Sequence, residues 1–173
     1  MKTNDTQRND KRLYDDPGAS ISIDRCSKSS SEFETILELR RSGAAPASPL
    51  EDCFDLEADL YVMRCSGTAI ATMRVSQARR GEIDCEEAYP DEFLSNYRSI
   101  ICSASRFLRH PKSPPNVLLM EQFMREVWRD QFADGVRVDI INVHQPMIPY
   151  YTRMGYVLLC DSHFTHPRLG TPS

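Results

Sequence analysis

A chain of 173 residues carrying a net charge of −4 is long enough for one domain with a sizeable buried core, and its 40% hydrophobic, 27% charged composition is that of an ordinary soluble globular protein. The charge balance, with no basic run or aromatic-basic motif, argues against a nucleic-acid partner. No apolar run approaches the roughly 20 residues that span a bilayer, and the polar N-terminus has no apolar segment of the signal-peptide kind, which together predict a cytoplasmic protein without integral membrane association.

Residues 1–18 are polar and charged and read as a flexible segment before a domain over 19–161, with 162–173 as a loose tail. Ala19 to Cys26 alternates Ile21 and Ile23 with polar neighbours, a strand pattern. Ser31-x-x-Glu34 is a capping box, so a helix carrying Phe33, Ile36, Leu37 and Leu39-Arg40 is predicted to about Arg41, stopped by the loop Gly43–Pro49. Asp59–Arg64 and Ala69–Gln77 read as a hairpin turned at Cys65-Ser66-Gly67-Thr68. A polar connection with a helical turn begun by Pro90 leads to an apolar strand, Ile100–Leu108.

That strand runs into a turn, His110-Pro111-Lys112-Ser113-Pro114-Pro115-Asn116, and then a helix. Such crossovers present backbone N–H groups to anionic ligands, but without glycine this turn cannot wrap a pyrophosphate closely. The helix is predicted from Asn116 to about Phe132, with Leu119, Met120, Phe123, Met124 and Val127 on one apolar stripe. Val136–Val143 is a β-branched strand, Gln145–Met154 a short helix closed by Gly155, and Tyr156–Cys160 a last strand. Strand, helix, hairpin and β-α-β-α-β predict an α/β (α+β) fold with a mixed central sheet covered by helices on both faces. Six cysteines without a C-x-x-C pair read as reduced thiols. The histidines lack metal-ligand spacing, and His163-x-x-His166 reads as solvated, so no metal is expected.

This order resembles the GNAT acyltransferase fold. Ile21–Arg25 followed by the helix ending Leu37-Glu-Leu-Arg40 is similar to its opening, and Tyr151-Thr-Arg-Met-Gly155-Tyr156 resembles its closing Tyr-x-x-x-Gly-aromatic motif. A narrower resemblance is to acyl-homoserine-lactone synthases and the related N-acyl amino acid synthases. It rests on Asp52-x-Phe54-Asp55 followed after five residues by Tyr61-Val62, on Gly67 through Ala71-Thr-Met-Arg74-Val75, and on Ser105-Arg106-Phe107. Ser103 stands where the family's Glu-x-Ser-Arg-Phe motif has glutamate, and serine cannot supply the base or the charged partner that a carboxylate does.

The resemblance implies an N-acyltransferase that takes a long acyl chain from the phosphopantetheine thioester of acyl carrier protein to a small-molecule amine acceptor, an amino acid or a relative of one. Acetyl-CoA-dependent acetylation and a non-catalytic binding module of the same fold are the alternatives, with acyl-CoA as the other donor. In that fold two parallel strands splay to admit the pantetheine arm and expose an N–H for the oxyanion, which would put the reaction centre near Ser103 to Phe107 and Asn142 to His144. Tyr151 is the candidate general acid, with Tyr150 as the substitute if the register slips; the other reading is an aromatic pair packing the helix. His144 is a candidate base, or a solvent-facing strand end. Asp52 and Asp55 would bind the acceptor's ammonium or form a solvated loop face, with Phe54 beside them. Arg74 and Arg106 lie in apolar segments and need partners, with Asp52 or Asp55 as the obvious ones, either structurally or as the wall of an acceptor pocket that Ser105, Phe107 and Asn142 would complete. Arg79-Arg80, Arg106, Arg109, His110 and Lys112 would form a basic face for an acidic carrier protein, or a scatter of solvated charges.

Overall fold

The computed structural model describes residues 20–43, 49–113 and 116–159. The expectations for residues 1–18, Ala19, the middle of the first loop, Pro114-Pro115, Cys160, His163, His166 and the tail fall outside them.

Strand β1 (Ile21–Cys26) leads into helix α1 (Glu32–Gly43). The start of α1 is marked by Ser30 and not by Ser31: Ser30 Oγ accepts the Glu32 N–H at 3.2 Å and its carbonyl accepts the Phe33 N–H at 3.0 Å. A 3₁₀ turn (Cys53–Asp55) precedes β2 (Asp59–Cys65) and β3 (Thr68–Gln77). These two strands join through Ser66 and Gly67, both at positive φ (46° and 82°), the backbone that a two-residue primed turn demands. After a further 3₁₀ turn (Glu86–Ala88) come α2 (Asp91–Tyr97), β4 (Ile101–Arg109), α3 (Val117–Ala133), β5 (Val138–Ile140), a 3₁₀ turn (Gln145–Met147) and α4 (Ile148–Arg153).

The strands lie in chain order, β1 to β5, in one five-stranded sheet. The first three pairings are antiparallel and β4–β5 is parallel, so the sheet is mixed. Strand β2 decides how it is covered. Its Leu60 and Val62 pack with Ile36 and Leu39 of α1, while Tyr61 and Met63 turn to Phe123, Met124 and Val127 of α3. A strand buried on both faces reads as a continuous apolar run, and helices lie on both faces as the element order predicts. On α3 the predicted stripe is the buried one, and Asn116 caps it by accepting the Leu119 N–H at 3.1 Å.

Two predicted strands fall short. Val136–Val143 pairs only over Val138–Ile140, because Val136 N–H closes onto Gln131 O at the end of α3 and the chain leaves β4 after Ile140. Tyr156–Cys160 forms no strand over its described residues: none of them pairs with the sheet among the described residues, and Val157 is 87% exposed. β-branched and aliphatic residues favour a strand only where a partner strand and a packing surface exist.

Candidate active site

Between β3 and β4 the register runs from Thr72↔Leu108 to Arg74↔Ser105, two steps against three, so Met73 stands opposite both Arg106 and Phe107. This is a β-bulge, and Arg106 occupies its left-handed position at φ 51°, which in an arginine costs about 1 kcal/mol. The bulge resets the alternation of β4. Ala104 and Phe107 face α3, with the Phe107 ring 6.0 Å from that of Phe123, while the consecutive Ser105 and Arg106 both turn to the opposite face.

On that face lies an ionic network built on the 3₁₀ turn. Asp52 accepts the Phe54 N–H at 3.1 Å and Asp55 accepts the Asp52 N–H at 3.0 Å, a reciprocal capping box. Arg40 grips Asp55 with two parallel bonds of 2.8 Å and donates a third to Leu50 O at 2.7 Å. Arg74 donates to Asp52 at 2.5 Å, Asp55 at 3.3 Å, Asp84 at 3.4 Å and Ser105 Oγ at 3.0 Å, and lies 5.3 Å from the Phe54 ring centre. Arg106 donates to Asp52 at 2.7 Å and to Pro49 O at 2.6 Å. Burial pushes the Asp52 carboxyl up, but Arg74 and Arg106 outweigh it and hold it below the ordinary range; burial also raises Asp55, where the Arg40 bonds and charge prevail in the same direction. The solvated-loop reading fails for this pair. Asp55 and Arg74 are 0% exposed, so contact with a ligand on this network falls to Asp52, Asp84 and Arg106 at its surface.

The other face of the site is the division of β4 from β5. Their parallel pairing covers only Ile101–Ser103 against Val138–Ile140. Just beyond it, the Ala104 N–H donates to Asp139 Oδ1 at 2.9 Å. Cys102 Sγ also donates to Oδ1, at 3.3 Å, and the Tyr156 hydroxyl donates to Oδ2. Trp128 Nε1–H in turn donates to the Tyr156 oxygen at 3.2 Å. No cation pairs with Asp139 among the described residues, and burial pushes its carboxyl up to about 6. Because the folded-state value lies above the unfolded 3.8, the folded protein holds this proton more tightly, and stability falls as pH rises through about 6. Asp139→Asn is expected to flatten that part of the profile in thermal unfolding series between about pH 4 and pH 7.5. Asp52 and Asp55 act with the opposite sign and lose their contribution only at lower pH, so the windows separate.

Tyr151 stands beside this cluster. Its ring meets those of Tyr150 and Tyr156 edge-on, at 5.2 and 5.6 Å, and burial pushes its hydroxyl up to about 12. That hydroxyl makes no hydrogen bond among the described residues, so its proton is uncommitted while its ring packs. Tyr150 is less enclosed, and its hydroxyl is also pushed up by burial. His144 is exposed at the start of the 3₁₀ turn, which its side chain does not cap. Asn142 is engaged: it accepts from the Tyr89 hydroxyl at 2.8 Å and donates to Asp84 O at 3.3 Å. Ser103 is 1% exposed and its Oγ has no partner among the described residues. Between β4 and α3, beside Met124, Trp128 and Tyr156, the free space is about 10 Å³.

The basic residues divide. Arg109 donates to Ser113 O, His110 Nδ1 accepts the Lys112 N–H at 3.2 Å, and Lys112 is exposed, all at the far end of β4. Arg79 and Arg80 instead bond to Gln77, Asp59 and Asp134 near the start of β4, roughly 25 Å of strand away, so one basic face does not include them. Sequence reasoning passed over Arg40, Asp84, Asp139 and Tyr156 as site residues. For two of these a signal exists: Arg40 completes the apolar stripe Phe33, Ile36, Leu37, and Asp139 interrupts Val138-x-Ile140, places where a charge must find buried partners.

Residues 39–173 match the family of the N-acyl amino acid synthase FeeM, a span holding every element from the end of α1 onward. The chain belongs to that family. It is an acyltransferase, and its solved structural neighbours share the GNAT fold. A Lactobacillus plantarum protein assigned as an N-acetyltransferase superposes with a TM-score of 0.63 at 14% identity, covering 88% of this chain and 93% of its own. A GCN5-related N-acetyltransferase from Ralstonia eutropha JMP134 gives 0.55 at 14% identity, over 82% and 95%. An assigned acetyltransferase of Clostridium acetobutylicum, solved with acetyl-CoA, gives 0.54 at 12%, over 82% and 93%. No curated protein matches the sequence. No helix among the described residues is long and apolar enough to cross a membrane.

Proposed function

We propose that this member of the FeeM family, acting in the cytoplasm through a domain over residues 19–161, transfers a fatty acyl group from the phosphopantetheine thioester of acyl carrier protein to the amine of an amino acid or related small molecule. The observation that supports it most is the division of β4 from β5 after Ser103 and Ile140, with a bulge in β4 immediately beyond. A gap between parallel strands admits a pantetheine arm, and the developing oxyanion would draw on a β4 N–H beyond that of Ala104, which Asp139 holds.

In the reaction the neutral amine nitrogen attacks the thioester carbonyl carbon, whose π electrons move to oxygen. The tetrahedral adduct collapses, the C–S bond breaks, and the thiolate takes the Tyr151 hydroxyl proton, which solvent restores. The nitrogen loses a proton to His144 or to water. Asp52 and Arg106 face the acceptor, held by Arg40, Arg74, Asp55, Asp84 and Ser105.

Two features support a carrier-protein donor. The turn before α3 has no glycine, and Asn116 already occupies one of the first N–H groups of that helix. A carrier protein presents a single phosphate and needs less of a cradle than free coenzyme A, and Arg109, His110 and Lys112 would meet its acidic surface beside the exposed Val117 and Leu118. The small space of about 10 Å³ between β4 and α3 favours a second reading, acetyl transfer from acetyl-CoA, since a long chain there requires Met124 and Trp128 to move aside.

Incubation with long-chain acyl-carrier protein and, separately, acetyl-CoA, each with a mixed pool of amino acids, tests both by mass spectrometry. Long-chain N-acyl products are expected. Only N-acetyl products would overturn the donor, and no product from either would overturn the transfer itself.

A further inference from the structure

On the sheet face opposite α3, between the Cys53–Asp55 turn and the loop after β3, lies a cavity of about 170 Å³. Phe54, Glu57, Ser76, Gly81 and Glu82 are among the residues that line it. Ser76 is only 4% exposed, and its Oγ has no hydrogen-bond partner among the described residues. A buried hydroxyl left without a partner costs roughly 1–3 kcal/mol, which a polar ligand in the cavity would recover. Directly across the ladder from Ser76 is Ser103, also buried and also without a partner among the described residues, and Ser103 is the last residue of β4 that pairs with β5. A strip of two unsatisfied hydroxyls therefore links the cavity to the place where β4 and β5 divide.

The charge around this strip selects the ligand. In the network next to it, the guanidinium groups of Arg40, Arg74 and Arg106 are matched by the carboxylates of Asp52, Asp55 and Asp84. Glu57 and Glu82 are additional to that balance. Both are exposed, and neither has an ion pair or hydrogen bond among the described residues. Glu57 lies against Gly81, where an added Cβ would meet its Cγ at 3.7 Å, and both residues line the cavity. An anionic group entering here meets two like charges and no free cation; an ammonium meets two carboxylates and a hydroxyl oxygen.

We propose that this cavity binds a cationic group of the acceptor, an ammonium or guanidinium distinct from the amine that is acylated. The inference rests on the acyl-transfer reading above and narrows its acceptor to diamines and amino acids with basic side chains. From β3 to the gap between β4 and β5 is about one and a half strand spacings, roughly 7 Å, a span that a short diamine or a basic side chain covers.

The probe is 1,4-diaminobutane, with n-butylamine as the singly charged comparison whose one nitrogen must serve as the nucleophile. Calorimetric titration is expected to show the diamine binding without a donor present, and binding about ten-fold weaker in the E57Q/E82Q double variant, the loss expected for charge-assisted hydrogen bonds at a partly open site. Both changes are isosteric and at the surface, and an unchanged thermal midpoint verifies the fold. In turnover with the donor that gives product, kcat/KM for the diamine is expected to exceed that for butylamine about ten-fold, with the ratio falling toward one in the double variant. Equal efficiency for both amines, or diamine binding indifferent to the double variant, overturns the cation site and leaves acyl transfer standing. Diamine binding that depends on Glu57 and Glu82, with no acyl product from any amine, overturns the transferase reading and leaves the site.

Discussion

Arg74→Ala is expected to destabilise the folded chain by about 3–5 kcal/mol and to lower its thermal midpoint by roughly 10 °C. The guanidinium is fully enclosed and is the common partner of Asp52, Asp55, Asp84 and Ser105. Removing it leaves carboxylates in a dry environment with only Arg40 and Arg106 to compensate, and an uncompensated buried charge costs far more than the intact pair contributes. Arg74→Lys is expected to recover little, because one ammonium cannot reproduce a planar fork that serves several acceptors at once. Circular dichroism melts of both variants decide it. A change below about 1 kcal/mol in the alanine variant would mean that the network relaxes to admit water.

Tyr151→Phe is expected to lower kcat by about 10²–10⁴-fold with KM little changed, the range for loss of a general acid that acts in the transition state. The hydroxyl makes no hydrogen bond among the described residues, and the phenylalanine ring keeps the edge-on contacts with Tyr150 and Tyr156. Stability should therefore be nearly unaffected, which separates a catalytic loss from a packing loss. Tyr150→Phe is the comparison, because that residue takes the role only if the register of α4 slips. Steady-state rates of the two variants with the same donor decide between them. Full activity in Tyr151→Phe would leave its ring as a packing element and return the proton donor to solvent.

The ionic network was legible in outline. Arg74 and Arg106, each a charge inside an apolar strand pattern, required partners, and Asp52 and Asp55 were the candidates that the motif offered. What the pattern did not give was the division of labour. Arg40 takes both oxygens of Asp55, and Asp84 arrives from the loop after β3, two arrangements that depend on how α1 and that loop lie against the sheet. The basic residues show the converse. Arg79-Arg80 and Arg109–Lys112 looked alike as charges, but β4 carries them to opposite ends of the sheet.

By itself the sequence determined the order of the elements from β1 to α4, the mixed sheet with helices on both faces, the hairpin at Ser66-Gly67 and the stripe of α3. These depend on local periodicity and on backbone conformations that few residues tolerate. Only the tertiary structure decided where β4 and β5 part, that Tyr156 turns inward to Asp139 instead of extending a strand, and that Ser76 and Ser103 share one buried strip. Each of these depends on which segments become neighbours across the sheet, and a pairing between residues far apart in the chain leaves no periodic trace in either of them.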